Sequence, residues 1–184
     1  KDSGMYDAIN RGLRRATGEI CAYLNCDEQY LPGTLARVAT YFRDHPAVDL
    51  LFGGVILVDE NGQPLSYRRT VLPDRAHIRA AHLNTTTCAT FFRRRLLDRG
   101  FFFETKWKAI GDVVWIDSLL AAEVKMAVIP EPLAVFTFTN ENLGASPVSR
   151  AESEEWKAAG SATNPLSRLG LIALHRWKKA LAGA

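Results

Sequence analysis

The sequence predicts an α/β domain with a mixed sheet flanked by helices. Two observations predict it. In the first half, strand-length apolar runs alternate with segments whose apolar residues recur every three or four positions. In the second half, a hairpin signal and strand-like runs separated by prolines indicate antiparallel pairing. The chain's 184 residues suffice for one domain with a full core.

The elements follow in order. Met5, Ile9, Leu13 and Ala16 share one helical face, and Gly18 stops it. Residues 20–24 are an apolar run of strand length, ending in Asn25-Cys26-Asp27-Glu28. Leu35, Val38, Ala39 and Phe42 mark a helix over 34–45, ended by Pro46. Residues 49–58 read as a strand with a bend or close backbone approach at Gly53-Gly54. Glu60-Asn61-Gly62 signals a hairpin with its return at 65–71. A short helix is expected over 73–81 and a β-branched, aromatic strand over 85–92. Then come a short helix closed by Gly100, a helix over 113–123, and strands over 124–129 and 133–139 broken apart by Pro130 and Pro132. A polar linker over 140–149 leads to two helices, 149–159 and 165–181.

Composition excludes several classes. The chain is 47% hydrophobic and 23% charged, as ordinary globular domains are, and no apolar run is long enough to span a bilayer. A net charge of +3 without a basic stripe interleaved with aromatics argues against nucleic-acid binding. Cys21, Cys26 and Cys88 cannot all pair, and the four histidines lack ligand spacing, so a reducing compartment and no zinc site are expected.

Asp27-Glu28 is the feature with chemical meaning. In open α/β sheets ligands collect beyond the carboxyl ends of strands, and paired carboxylates there are hard donors for Mg²⁺ or Mn²⁺. The competing interpretation is a solvated acidic turn. Asp112, after Gly111 and before Val113-Val114, is either a helix cap or a partly buried general base. Asp2 caps the first helix or faces a ligand, and Asn10 is an exposed helix residue or a ligand contact. Arg93-Arg94-Arg95 is a solvated face or a phosphate contact. Trp107 and Trp115 are core residues or an aromatic stacking surface. Cys26 is a small filler.

Several stretches then resemble the family 2 glycosyltransferases. They are D-S-G-M-Y-D-A-I-N-R-G from Asp2, A-T-G-E-I, Y-L-N-C-D-E-Q-Y-L-P-G-T-L, T-F-F-R-R, G-F-F-F-E-T, I-G-D-V-V-W and P-E-P-L-A-V-F, in that order over residues 1–146. The resemblance implies a GT-A-like (Rossmann-like) sheet. It implies a nucleoside diphosphate-sugar donor, a glycan or lipid-linked acceptor, inversion, and a divalent metal, Mg or Mn. Asp27 and Glu28 would hold the metal. Asp2, Gly4, Asn10, Asn25 and Asp27 would lie on the donor side, and Asp112 would be the base. Asn25 and Glu28 depart from the usual acidic motif. The family's first βαβ unit has no counterpart, and the chain starts at Lys1, so a truncated domain over 1–146 is expected.

Residues 147–184 are expected to form a helical tail. From Pro165 onward it carries Arg168, Arg176, Lys178 and Lys179, no acid, and a partial apolar stripe with Trp177. Such a helix either lies on an anionic membrane surface or packs on its own domain or a partner. A lipid-linked acceptor would place the enzyme in the cytoplasm, peripheral to the inner face of the membrane. Two other classes are weighed: a non-catalytic binding or assembly module, motivated by the altered acidic motif, and a nucleotidylyltransferase, against which Gly111-Asp112 speaks.

Overall fold

A computed structural model describes residues 1–139, 142–160 and 165–181. Part of the expected linker at 140–149 and the last residues of the tail lie outside these. Helix α1 (Met5–Arg15) leads into β1 (Ile20–Cys21), and β2 (Glu28–Tyr30) into α2 (Thr34–Asp44). Strands β3 (Leu50–Val58) and β4 (Pro64–Arg68) form the hairpin, closed by Asp59, whose Oδ1 accepts from Asn61 N and Gln63 N. Then follow α3 (Arg75–Ala80), β5 (Thr90–Arg93), α4 (Arg95–Asp98), α5 (Gly111–Ala121), β6 (Met126–Thr137), α6 (Pro147–Ala158) and α7 (Pro165–Leu181).

The sheet order is β1-β5-β3-β6-β2, with β4 pairing β3 beside this path. Among the described residues β3–β6 is the one parallel pair, and the other pairs are antiparallel. The mixed sheet is therefore present, but three local expectations change. The strand begun at Ile20 pairs for only two residues, and the acidic turn feeds a second strand, β2, not foreseen from the sequence. The two prolines do not divide β6. Register shifts beside Gly53 and Gly54 let Pro130 and Pro132 pass through one strand whose centre pairs with β3 on both sides of them. Gly53 is needed there, because a Cβ would overlap the Leu133 side chain. Thr85, Thr86 and Thr87 are not strand but loop and 3₁₀ turn, pinned by Thr90 Oγ1 donating to Thr86 O at 2.7 Å.

Two buried clusters cover the sheet. One contains Phe52, Phe92, Phe103, Trp107 and Trp115 with Trp156 of α6; the other joins Val38 and Phe42 of α2 to Leu51, Phe91 and Leu133. Trp107 and Trp115 are thus core residues. Trp115 stacks on Phe103 at 4.8 Å and donates from Nε1 to Phe101 O at 3.0 Å. The arginine run is absorbed locally. Arg93 is buried, Arg95 pairs with Asp49, and Arg94 reaches Asp98 at 3.4 Å.

Helix α7 packs against α3 through three histidines. The rings of His77 and His175 stack with centroids 3.8 Å apart, and His82 meets His77 edge-on at 5.2 Å. His77 Nδ1 and His175 Nε2 are buried without partners. Lys178 and Lys179 of α7, Arg68 of β4 and Lys157 of α6 face the group, and Asp74 is the acid beside it. Burial first, then the neighbouring positive charges, lowers all three pKa values, that of His175 from 6.5 to about 4. Histidines with depressed folded pKa values bind protons more readily when undocked. Their contribution is therefore complete above about 6.5 and is lost as pH falls below it, that of His175 as pH falls toward about 4. Amide exchange in α7, corrected for intrinsic chemistry, is expected to accelerate over that window. His175→Phe, which keeps a ring in the stack, should flatten the dependence; an unchanged pH profile would show that the histidines do not control docking.

Candidate active site

The expected site residues converge in part. A cavity of about 620 Å³ is lined by Asn25, Asp27, Glu28, Tyr6, Asp112 and the Thr85–Thr87 loop. Asp112 and Thr85 also border a second cavity, of about 270 Å³, walled by His82 and by Ser149, Ser153 and Trp156 of α6. Asp112 therefore stands where two cavities meet.

The acidic turn is held by its own atoms. Glu28 N donates to Asn25 O at 3.2 Å, and Asn25 N returns a bond to Glu28 Oε2 at 2.8 Å. Thr137 of β6 donates from Oγ1 to Asp27 O at 2.9 Å. Asp27 is exposed, whereas Glu28 is buried and its Oε1 has no partner. Burial raises the Glu28 pKa; the bonds from Asn25 oppose the shift, and the charge of Asp27 adds to it.

These donors fit a divalent cation held jointly with a ligand. Among the described residues no group of three His, Cys, Asp or Glu could hold a metal alone. Mg²⁺ in phosphate sites commonly takes one or two protein carboxylates and completes its shell with phosphate and water. The orphaned Glu28 Oε1 is an atom that a cation, or a proton, would satisfy.

Asp112 is not the helix cap. The N-cap of α5 is Ile110, which has no capping side chain, and Asp112 lies in the first turn. Tyr6 supplies part of what Ile110 lacks. Its hydroxyl accepts from Asp112 N at 3.2 Å and donates to Asp112 Oδ1 at 3.3 Å. Gly111 makes this approach possible, since a Cβ there would lie 2.6 Å from Tyr6 Cε2. Burial raises the Asp112 pKa; bonds from Val113 N–H, Tyr6 and its own N–H offset part of that. A buried carboxylate whose pKa is raised above its ordinary value is a better proton acceptor than a solvated one.

The remaining expected residues lie off the cavity wall. Asn10 is buried, and its carboxamide is spent on Phe103, donating to its O at 2.8 Å and accepting from its N at 3.0 Å. Gly4, with φ of 137°, is the N-cap of α1, and Asp2 Oδ1 accepts from Gly4 N at 3.3 Å, supporting that cap from outside the helix. Tyr6, Tyr23 and the Thr85–Thr87 loop line the cavity and were missed by sequence reasoning. A three-threonine run reads as a strand unless the turn that Thr90 closes is recognised.

The glycosyl transferase family 2 model matches residues 1–102. The chain belongs to glycosyl transferase family 2. It is 27% identical over 184 residues to the PGL/p-HBAD biosynthesis glycosyltransferase of Mycobacterium tuberculosis (strain ATCC 25177 / H37Ra), covering all of this chain and 68% of that protein. It is 28% identical over 104 residues to the amylovoran biosynthesis glycosyltransferase AmsE of Erwinia amylovora, covering 55% of this chain and 39% of that one. The fold is similar to S. aureus TarS 1-349 in complex with UDP-GlcNAc, with a TM-score of 0.55 and 15% identity over 94% of this chain and 52% of that one. The family 2 chain thus has the GT-A fold and spans about half the length of the S. aureus TarS 1-349 chains.

Proposed function

We propose that the chain is the catalytic part of an inverting glycosyltransferase. It would move a sugar from a nucleoside diphosphate donor to a hydroxyl of a glycan or lipid-linked acceptor. One observation carries this reading: Asp27, Glu28 and Asp112 open onto the same cavity. Transfer needs a stabilised diphosphate leaving group and a base for the incoming hydroxyl. Asp27, with Glu28 Oε1 behind it, would hold a divalent metal, which when bound supplies positive charge to the diphosphate. Asp112, reached from the second cavity, would take the acceptor's proton. One base and in-line attack invert the anomeric carbon without a covalent intermediate. Asn25 stays on the donor side of this reading, with Asp2, Gly4 and Asn10 shaping the loop and helix beside it.

The tail would serve the acceptor. Residues 1–146 would form the transferase unit, with α6 packed on it through Trp156 and α7 beyond as the tail. Helix α7 leaves Leu169, Trp177 and Leu181 at 65%, 59% and 69% exposure beside exposed Arg176 and Lys178. That face suits peripheral contact with an anionic membrane. No described helix is long and apolar enough to cross one.

Titration of UDP in the presence and absence of Mn²⁺ tests the metal side. The chain should bind UDP more tightly with Mn²⁺, and Asp27→Asn should lose about 10–100-fold of that Mn²⁺-dependent affinity. Full Mn²⁺ dependence in Asp27→Asn would overturn the assignment. A chain that binds no nucleotide or nucleotide sugar would instead favour the non-catalytic binding module.

A further inference from the structure

We infer that Glu152 of α6 is a positioning residue for Asp112, acting through the backbone that precedes it. The inference rests on the proposed role of Asp112. The carboxylate of Glu152 accepts three successive backbone N–H groups: Lys108 at 2.6 Å, Ala109 at 2.9 Å and Ile110 at 3.2 Å. Ile110 is the N-cap of α5 and has no side chain able to cap. The first N–H groups of a helix have no partner within it, and an acidic group there is favoured by the helix dipole. Of the three, only Ile110 N–H belongs to that unpaired set; Glu152, some forty residues onward, caps it and pins the two residues before the helix, and Tyr6 OH accepts from Asp112 N. Together they fix the backbone on both sides of Gly111.

Helix α6 is held so that Glu152 cannot drift. Trp156, one turn further along the same face, is buried in the main core. The Arg79 guanidinium lies over its ring at 4.8 Å and also pairs with Asp117 of α5 at 2.6 Å. Lys157 Nζ donates to Ala81 O at 2.6 Å. The ties between α3, α5 and α6 thus set the distance from Glu152 to the start of α5. No ion-pair partner of Glu152 occurs among the described residues, so its charge is directed at these N–H groups. In transfer chemistry an ångström of misplacement of the base costs about 100-fold in rate.

Glu152→Ala, Glu152→Gln and Asp112→Asn test this in the full chain, with exposed Glu154→Ala as control. The readouts are amide exchange at 108–112, UDP affinity with Mn²⁺, and hydrolysis of UDP-GlcNAc, in which water takes the sugar and UDP is released. Glu152→Ala should raise exchange at Lys108, Ala109 and Ile110 but not in β3, and lower kcat about 100-fold. KM and UDP affinity should stay unchanged. Glu152→Gln, which keeps one acceptor oxygen, should recover part of both effects. Unchanged exchange at 108–110 in Glu152→Ala would overturn the inference, as would a loss of kcat matched by equal loosening of β3. If Asp112→Asn retains turnover while Glu152→Ala still loosens 108–110, the role of Asp112 fails and the anchoring stands. If Asp112→Asn stops turnover while Glu152→Ala leaves kcat intact, Glu152 has no positioning role.

Discussion

Asp112→Asn is expected to lower turnover by about 10²–10⁴-fold, the range a positioned general base contributes, while leaving UDP affinity unchanged. The same variant should be more stable than the parent at neutral pH. Burial holds the folded pKa of Asp112 above its ordinary 3.8, so folding favours the protonated form. The stabilisation from that bound proton is complete below 3.8 and is lost as pH rises through the folded pKa. Asparagine carries no charge to desolvate. The difference in Tm should therefore open as pH rises and close in acid, at about 2–4 °C per kcal/mol for a chain of this size. Turnover of the parent should rise over the same interval as Asp112 deprotonates. Retained turnover in Asp112→Asn, with unchanged donor binding, would show that another group takes the proton.

Arg93→Ala should be the most destabilising single change in the arginine run. Arg93 Nε donates to Val48 O at 2.9 Å and Nη2 to Phe42 O at 2.5 Å, and the guanidinium lies 5.1 Å from the Phe42 ring centroid. Its ion pair with Glu19 adds little, because the Glu19 side chain is 77% exposed. The weight lies in two carbonyls left without donors. Hydrogen bonds to a charged group are worth about 1.5–3 kcal/mol each, so the loss is about 3 kcal/mol or more. Thermal unfolding should fall by roughly 6–12 °C or further, against about 2 °C for Glu19→Ala. An Arg93→Ala variant within about 1 kcal/mol of the parent would show that the β5–α2 junction closes without it. UDP affinity should not follow the charge removed, since all three arginines of the run are engaged within the domain.

The parts legible in the sequence were those set by local patterning. The helices at 5–15 and 34–44 and the hairpin follow from apolar spacing and turn residues. Asp27 and Asp112 were singled out by type and context, and they line one cavity. What escaped depends on distant partners. Pro130 and Pro132 read as breaks, because the shifts at Gly53 and Gly54 that absorb them lie some 75 residues earlier. Strand β2 was missed because three residues carry no periodicity; β6 creates it by pairing Glu28 with Phe136. For Asp112 a cap stayed open beside the base, because the groups that bond the start of α5, Tyr6 and Glu152, belong to the first and sixth helices. The buried carboxamide of Asn10 was unreadable for the same reason: its partner Phe103 is 93 residues away.

Strand β2 carries a further consequence. It is three residues long and lies at the edge of the sheet, paired only with β6. The acidic turn is therefore fastened to the rigid centre by one short ladder and the Thr137 bond. Opening of the turn ahead of Tyr30, whose ring stays against Phe91 of the second cluster, breaks a few hydrogen bonds, so it belongs to the low-energy fluctuations of a native protein rather than to unfolding. Asp112, sunk against the core, has no such freedom. One wall of the cavity is thus hinged and the other fixed. Under the proposed function, a diphosphate would be admitted and released by breathing of the Asp27 side while Asp112 stays in register.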